Sequence, residues 1–182
     1  MQKPGAVTGA PDTKDTVMRA IAIVGPKKSG KTALLSLLAE ALEGRGKRVA
    51  IIKYSTHPVE RSNADAFWLM RPGRTVVALS PEESAVFWPR ALSLKELAAL
   101  LDEDVLLLEG GEGLAGMPRI LCLGEDGDED DLPESALTGG PVLALVGEDS
   151  GLDAPLRFAE ATPETAEEIA PRILEKGLLL DG

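Results

Sequence analysis

"AIAIVGPKKSGKTALLSLL", Ala20 to Leu38, sets a glycine-rich turn between an apolar run and a helix-like segment. Within it, Gly25-Pro26-Lys27-Lys28-Ser29-Gly30-Lys31-Thr32 satisfies the pattern G-x-x-x-x-G-K-[ST] in full. Gly25 and Gly30 let the backbone turn tightly, so that successive amides point inward at phosphate oxygens. Lys31 carries the charge that neutralises β- and γ-phosphates, which makes it the candidate catalytic cation, and Thr32 offers a hydroxyl to Mg²⁺. Lys28, Ser29 and Ala33 complete the loop residues expected to contact a nucleotide. The helix that begins near Lys31 adds the positive end of its dipole. Pro26 stands five residues before Lys31, where partition-type ATPases keep an extra lysine, and this argues against a dimer-sandwich mechanism.

Outward from this loop the pattern repeats. Ala20–Val24 reads as a short apolar strand, and Ala33–Leu42 carries leucines at 34, 35, 37, 38 and 42, the mark of a helix buried on a broad face. "VAIIK" (Val49–Lys53) is a second buried strand. Thr75–Leu79 and Ala85–Trp88 are shorter strands about the turn-like "SPEES". Ser93, with Glu96 three residues on, forms a capping-box signature before "LKELAALL". "DVLLLEGG" (Asp104–Gly111), Arg119–Leu123 and Val142–Val146 give three more strands. "TPETAEEIAPRILEKG" is an N-capped helix that Pro171 is expected to kink or interrupt. Strands that are continuously apolar, alternating with helices, predict an α/β chain: a three-layer α/β/α P-loop NTPase fold with a mainly parallel sheet. Residues 18–182 are expected to form a single nucleotide-binding domain, preceded by a flexible leader over 1–17 that is rich in Gly, Pro and Thr.

The bulk composition fits one such domain. In 182 residues, hydrophobic types make up 44% and charged types 27%, a globular balance, while aromatics at 3% leave the core to Leu, Val, Ile and Ala. A net charge of −11 opposes binding to nucleic acid or to an anionic membrane. The single cysteine, Cys122, excludes an internal disulfide and fits a reducing compartment. With no apolar run long enough for a bilayer and no signal-like stretch at the N-terminus, the expected location is cytoplasmic. Cys122, between Leu121 and Leu123, reads as a buried core thiol. The acidic run Gly124–Glu134 lacks the spacing of a calcium loop and reads as a solvated, mobile loop, and Trp68 and Trp88 as core or interface anchors.

A phosphate loop needs an acid for its metal at the end of a neighbouring apolar strand, and Glu109 fits, making Thr32 and Glu109 the candidate Mg²⁺ ligands. Lys53, Tyr54 and His57 follow the second strand, where a parallel sheet places its ligand-facing loops, and Asp65 lies on the same connection. The Asn-Lys-x-Asp signature for guanine is absent. "LALVGEDSG" instead offers Glu148 and Asp149, whose carboxylates either pair with the N1 and N2 hydrogens of guanine or cap a loop.

Taken together, the chain resembles the molybdopterin-guanine dinucleotide biosynthesis protein B family. The matching segments are "IVGPKKSGKTALLSLLAEALEGRGKRVAIIK", His57 and Asp65, "PGRTVVALS", and "DVLLLEGGEGLAGMPRI", in order over roughly residues 20 to 175. The resemblance implies GTP and Mg²⁺ as cofactors, slow GTP hydrolysis and a homodimer. It also implies a partner, the molybdopterin guanylyltransferase that attaches a guanine nucleotide to molybdopterin. Under it, Gly25, Gly30, Lys31 and Thr32 hold the phosphates, Glu109 serves the metal, and Asp65 lines the same site as a second catalytic residue. The chain departs from the family at Tyr54 and Trp68, at "GGEGL" in place of Gly-Phe-Lys, at Arg119 in place of lysine and at Gly124, where a basic residue is usual. The alternative is a small-molecule kinase using ATP, with Asp65 as its base. Such kinases gather arginines in a lid, whereas Arg71, Arg74 and Arg90 are scattered here among prolines and tryptophans. A regulatory nucleotide switch is a third reading.

Overall fold

The computed structural model describes residues 17–54, 69, 71–124, 132, 134–148 and 151–180. The expected leader (save Val17), most of the acidic run, His57, Asp65, Trp68 and Asp149 lie outside them. The main sheet contains β1 (Met18–Val24), β2 (Val49–Lys53), β5 (Val105–Glu109), β6 (Arg119–Gly124), β7 (Val142–Gly147), β8 (Arg157–Phe158) and β9 (Leu178–Leu180). Its order is β2-β5-β1-β6-β7-β8. All neighbours on that path run parallel. One side of β1 pairs with β5 over Arg19–Ile23. The other side is shared: β6 takes Ala22–Val24, and β9, antiparallel, takes Met18–Ala20.

The helices are α1 (Lys31–Glu43), α2 (Leu94–Ala98), α3 (Glu134–Thr138) and α4 (Pro163–Lys176). Strand side chains alternate between two separate cores. Ile21, Ile23, Val105, Leu107 and Ile120 pack with α1 and α4. Ala20, Ala22, Leu106, Leu108 and Leu121 pack with α2 and α3. This is the three-layer arrangement that the sequence predicts. The helix α1 buries Leu34, Leu35, Leu38 and Leu42, each stabilising by about 1.5–3 kcal/mol relative to exposure.

Proline at 171 does not interrupt α4, which runs unbroken from Pro163 to Lys176. Proline lacks the N–H that would bond the carbonyl four residues back, that of Glu167. Arg45 fills the gap: its Nη2 donates to the Glu167 carbonyl at 2.9 Å, and its Nη1 meets Glu167 Oε2 at 2.5 Å. The signal at Ser93 is borne out in full. Its hydroxyl accepts from Glu96 N at 3.2 Å, and its own N–H donates to Glu96 Oε2 at 2.9 Å. The short elements α3, β8 and β9 carry no periodicity that a sequence reading finds. A separate hairpin, β3 (Val76–Leu79) with β4 (Ser84–Phe87), stands outside the sheet. Trp88 beside it is 38% exposed, so it is not a core residue of this chain.

Candidate functional site

The phosphate loop joins β1 to α1 at the carboxyl end of the sheet, where parallel strands place their ligands. Gly30, at φ 80°, precedes the first turn of α1, which has no side-chain cap and no acid. Its free N–H groups and the helix dipole are therefore left for an anion. Lys28 holds a left-handed φ of 66°, uncommon for a residue with a side chain, and such strain is concentrated at ligand sites. Gly25 is required by packing as well as by its φ of 157°: a Cβ there would stand 2.0 Å from the Cys122 carbonyl oxygen. Ser29 is buried, and its hydroxyl has no hydrogen-bond partner among the described residues. Lys31 lies back along the loop, its Nζ donating to the Gly25 carbonyl at 2.9 Å and to that of Pro26. An ammonium has three donors, so one is left for an incoming oxygen.

Odd-numbered residues of β5 face α1, which brings Glu109 out beneath the first turn of that helix. There the Thr32 hydroxyl donates to Glu109 Oε2 at 3.0 Å, and Lys53 Nζ, from the register-matched end of β2, lies 3.6 Å from Oε1. Main-chain bonds fix the carboxylate's base: Tyr54 N donates to the Glu109 carbonyl and Gly110 N to that of Ile23, each at 2.9 Å. Gly25, Lys27, Lys28 and Lys31 share a cleft of about 920 Å³ with Lys53 and Glu109. Hydroxyl and carboxylate are the hard oxygen donors that Mg²⁺ takes, so Thr32 and Glu109 fit that ion. Among the described residues, no group of three or more His, Cys, Asp or Glu is placed to hold a metal. A divalent ion here would need phosphate oxygens to complete its shell.

Two features at this site stand out in the sequence only as departures from the family pattern, and their roles escape a sequence reading. Glu112 and Gly113 line the cleft from the loop after Glu109, and nothing in the run "GGEG" itself marks that role. The second is Arg119. Parity places it with Leu121 and Leu123 on the α3 face of β6, where it is fully buried. Its guanidinium spans five main-chain carbonyls: Met117, Glu112 and Leu114 from the cleft loop, at 3.2, 3.4 and 3.1 Å, and Ser135 and Ala136 of α3, at 2.6 and 3.0 Å. Burial pulls its pKa down, and the Glu112 carboxylate opposes that shift. Cys122 is the core thiol that the sequence suggests, pushed up to about 12 by burial despite the charge of Lys31. Arg71, Arg74 and Arg90 do not line the cleft. Arg90 pairs with Glu96 instead, at 2.8 Å.

A family model described as molybdopterin guanine dinucleotide synthesis protein B (MobB) matches residues 20–136. Over 98 residues the chain is 34% identical to the molybdopterin-guanine dinucleotide biosynthesis adapter protein of Haemophilus influenzae, a match spanning 50% of this chain and 55% of that relative. The chain thus spans about half the length of the curated relative it matches. Its fold is similar to that of Bacillus subtilis MobB (TM-score 0.65, 20% identity, 85% of this chain and 98% of that one). It is also similar to a MobB homolog from Bacillus stearothermophilus (TM-score 0.63, 19% identity, 87% and 100%). Among the described residues, no helix is long and apolar enough to cross a membrane.

Proposed function

We propose that this chain, which belongs to the molybdopterin guanine dinucleotide synthesis protein B family, binds GTP with Mg²⁺ and acts as an adapter for the enzyme that attaches a guanine nucleotide to molybdopterin. The observation that carries the reading is the 3.0 Å bond from Thr32 to Glu109, which joins the phosphate loop to the only acid whose strand ends beneath it among the described residues. Lys31 and the inward amides of Gly25–Ala33 hold the phosphates, and the buried hydroxyl of Ser29 gains its missing partner there. Thr32 and Glu109 hold Mg²⁺, which when bound offsets the charge of the phosphates. Lys53, 3.6 Å from Oε1, orients the carboxylate of Glu109.

Slow turnover, which the family resemblance implies, is consistent with the same residues. The cations lining the cleft are lysines, and among the described residues it holds no arginine to stabilise charge moving off the γ-phosphate. Asp65 is assigned the second catalytic role from its place on the connection after β2. The reading takes residues 18–182 as one nucleotide-binding unit with a leader over 1–17, acting as a homodimer in the cytoplasm. A net charge of −11 supports a protein partner over nucleic acid or membrane.

Calorimetric titration with GTP and ATP, each with Mg²⁺, tests this on the wild type and on Lys31→Ala. A GTP preference is expected, with affinity lowered about a hundredfold or more in the variant. Glu109→Ala should weaken binding only when Mg²⁺ is present. A preference for ATP would move the chain to the kinase reading, and equal loss with and without the ion would remove Glu109 from its metal role.

A further inference from the structure

The phosphate loop has a cavity on each side. The larger is lined by Lys31, Thr32 and Glu109, the residues that would take the metal and the terminal phosphates. The smaller, of about 280 Å³, lies toward β7 and shares Lys28, Ser29 and Gly30 with the first. Its far wall is Gly147 and Glu148, at the carboxyl end of β7, together with Glu160 before α4. Because the two cavities meet at Lys28–Gly30, a nucleotide whose terminal phosphates sit by Glu109 can lay its nucleoside across these residues into the second. The volume falls just below the range of pockets that take whole drug-sized ligands, about 300–1,000 Å³, and suits a single base.

Resting on the nucleotide reading above, we propose that the second cavity is the base pocket and that the Glu148 carboxylate selects guanine within it. An ionised carboxylate only accepts hydrogen bonds. Guanine presents two adjacent donors, N1–H and N2–H₂, and both can meet the two oxygens of one carboxylate. Adenine presents one donor, N6–H₂, beside the N1 lone pair, which a carboxylate repels. The pyrimidines likewise lack two adjacent donors. Glu148 directly follows the last residue of a central parallel strand, where ligand contacts concentrate. Glu160 lies on the turn before α4 rather than at a strand end, and the Thr165 hydroxyl donates to its main-chain carbonyl at 2.9 Å, pinning that turn.

Dissociation constants for GTP, ITP and ATP with Mg²⁺, and for Mg²⁺-tripolyphosphate, test the assignment. ITP differs from GTP only in lacking the 2-amino group. The wild type should bind GTP about tenfold or more tighter than ITP. In Glu148→Ala that ratio should shrink to within about twofold, while Glu160→Ala keeps it. Glu148→Gln, of the same size but turning a donor toward the base, should also shrink it, and serves if the alanine variant loses its native circular dichroism. The proposal is overturned if the ratio survives in the Glu148 variants, if Glu160→Ala abolishes it, or if the wild type holds tripolyphosphate without preferring GTP. In that last case the phosphate-loop reading stands alone. A wild type that binds neither tripolyphosphate nor any nucleotide removes both.

Discussion

Two loops leave the adjacent parallel strands β1 and β5 at the same edge of the sheet and line the same cleft, yet they are held by opposite means. The loop after β1 is shaped by residues inside it: Gly25 fits against the Cys122 carbonyl, Gly30 turns into α1, and Lys31 reaches back to the Gly25 carbonyl. The loop after β5 has turns of its own, with Gly110, Gly111 and Gly116 in the left-handed region and Leu114 N donating to the Gly111 carbonyl, but these do not hold it alone. It is gripped from outside by Arg119 of β6, which also holds two carbonyls of α3. The first loop is written mainly in its own eight residues, with one close contact to β6, whereas the second depends in addition on a buried guanidinium that reaches it only once the sheet and α3 have assembled. A motif search finds the first kind of site and passes over the second.

The largest effect should come from removing the external grip. Arg119→Met keeps most of the side-chain length but leaves five main-chain carbonyls without their donor. Deleting one partner of a buried charged network costs about 3–5 kcal/mol. A urea denaturation midpoint reads this directly. Hydrogen exchange should then quicken at amides of residues 112–117 while the amides of the phosphate loop keep their protection. If both loops loosen alike, or the loss is under about 1 kcal/mol, the contrast between internal and external support is wrong.

The internally shaped loop makes a narrower claim. Alanine at Gly25 forces a main-chain carbonyl aside, because its Cβ would sit 2.0 Å from the Cys122 oxygen. Such overpacking costs about 1–3 kcal/mol, and it should lower GTP affinity more than about tenfold by displacing the first amides of the loop. Gly30 has no atom within 4 Å of its absent Cβ, so Gly30→Ala meets only the penalty of a left-handed φ, about 1–2 kcal/mol. Equal effects of the two on nucleotide affinity, by calorimetry, would show that packing against β6 does not set the loop's shape.

The same division decides how far the sequence could be read. The phosphate loop, α1, the apolar parallel strands and the place of Glu109 all follow from signals within a dozen residues. Arg119 does not. It opens a strand in "PRILCL", and only the pairing of β6 between β1 and β7 shows that its face is covered by α3. Proline at 171 failed as a local rule for the matching reason: the carbonyl it orphans is met by Arg45, 122 positions earlier in the chain. Short α3, β8 and β9 were missed because two to five residues show no period. Glu148 was readable as a candidate, but what it faces depends on β8 and the turn before α4.

At the most local extreme, the effects are smallest. Glu96 and Ser93 bond each other three residues apart, and Arg90 adds a guanidinium at 2.8 Å. The Ser93 N–H, then Arg90, then the Ser93 hydroxyl hold the Glu96 carboxyl down, from 4.5 to about 2. Because the folded value lies below the unfolded one, this carboxylate stabilises the protein fully above pH 4.5 and ceases to do so as the pH falls to about 2. The group is fully exposed, so solvent screens the effect and the global midpoint should move little across that window. The direct readout is the carboxyl carbon shift of Glu96 against pH by NMR, with its titration near 2 in the wild type and moved modestly upward in Ser93→Ala, which removes the hydroxyl but keeps the main-chain N–H and Arg90. A midpoint that stays near 2 in that variant would assign the shift to the main-chain N–H of residue 93 and to Arg90. The Ser93 hydroxyl would then have no electrostatic share in fixing the first turn of α2.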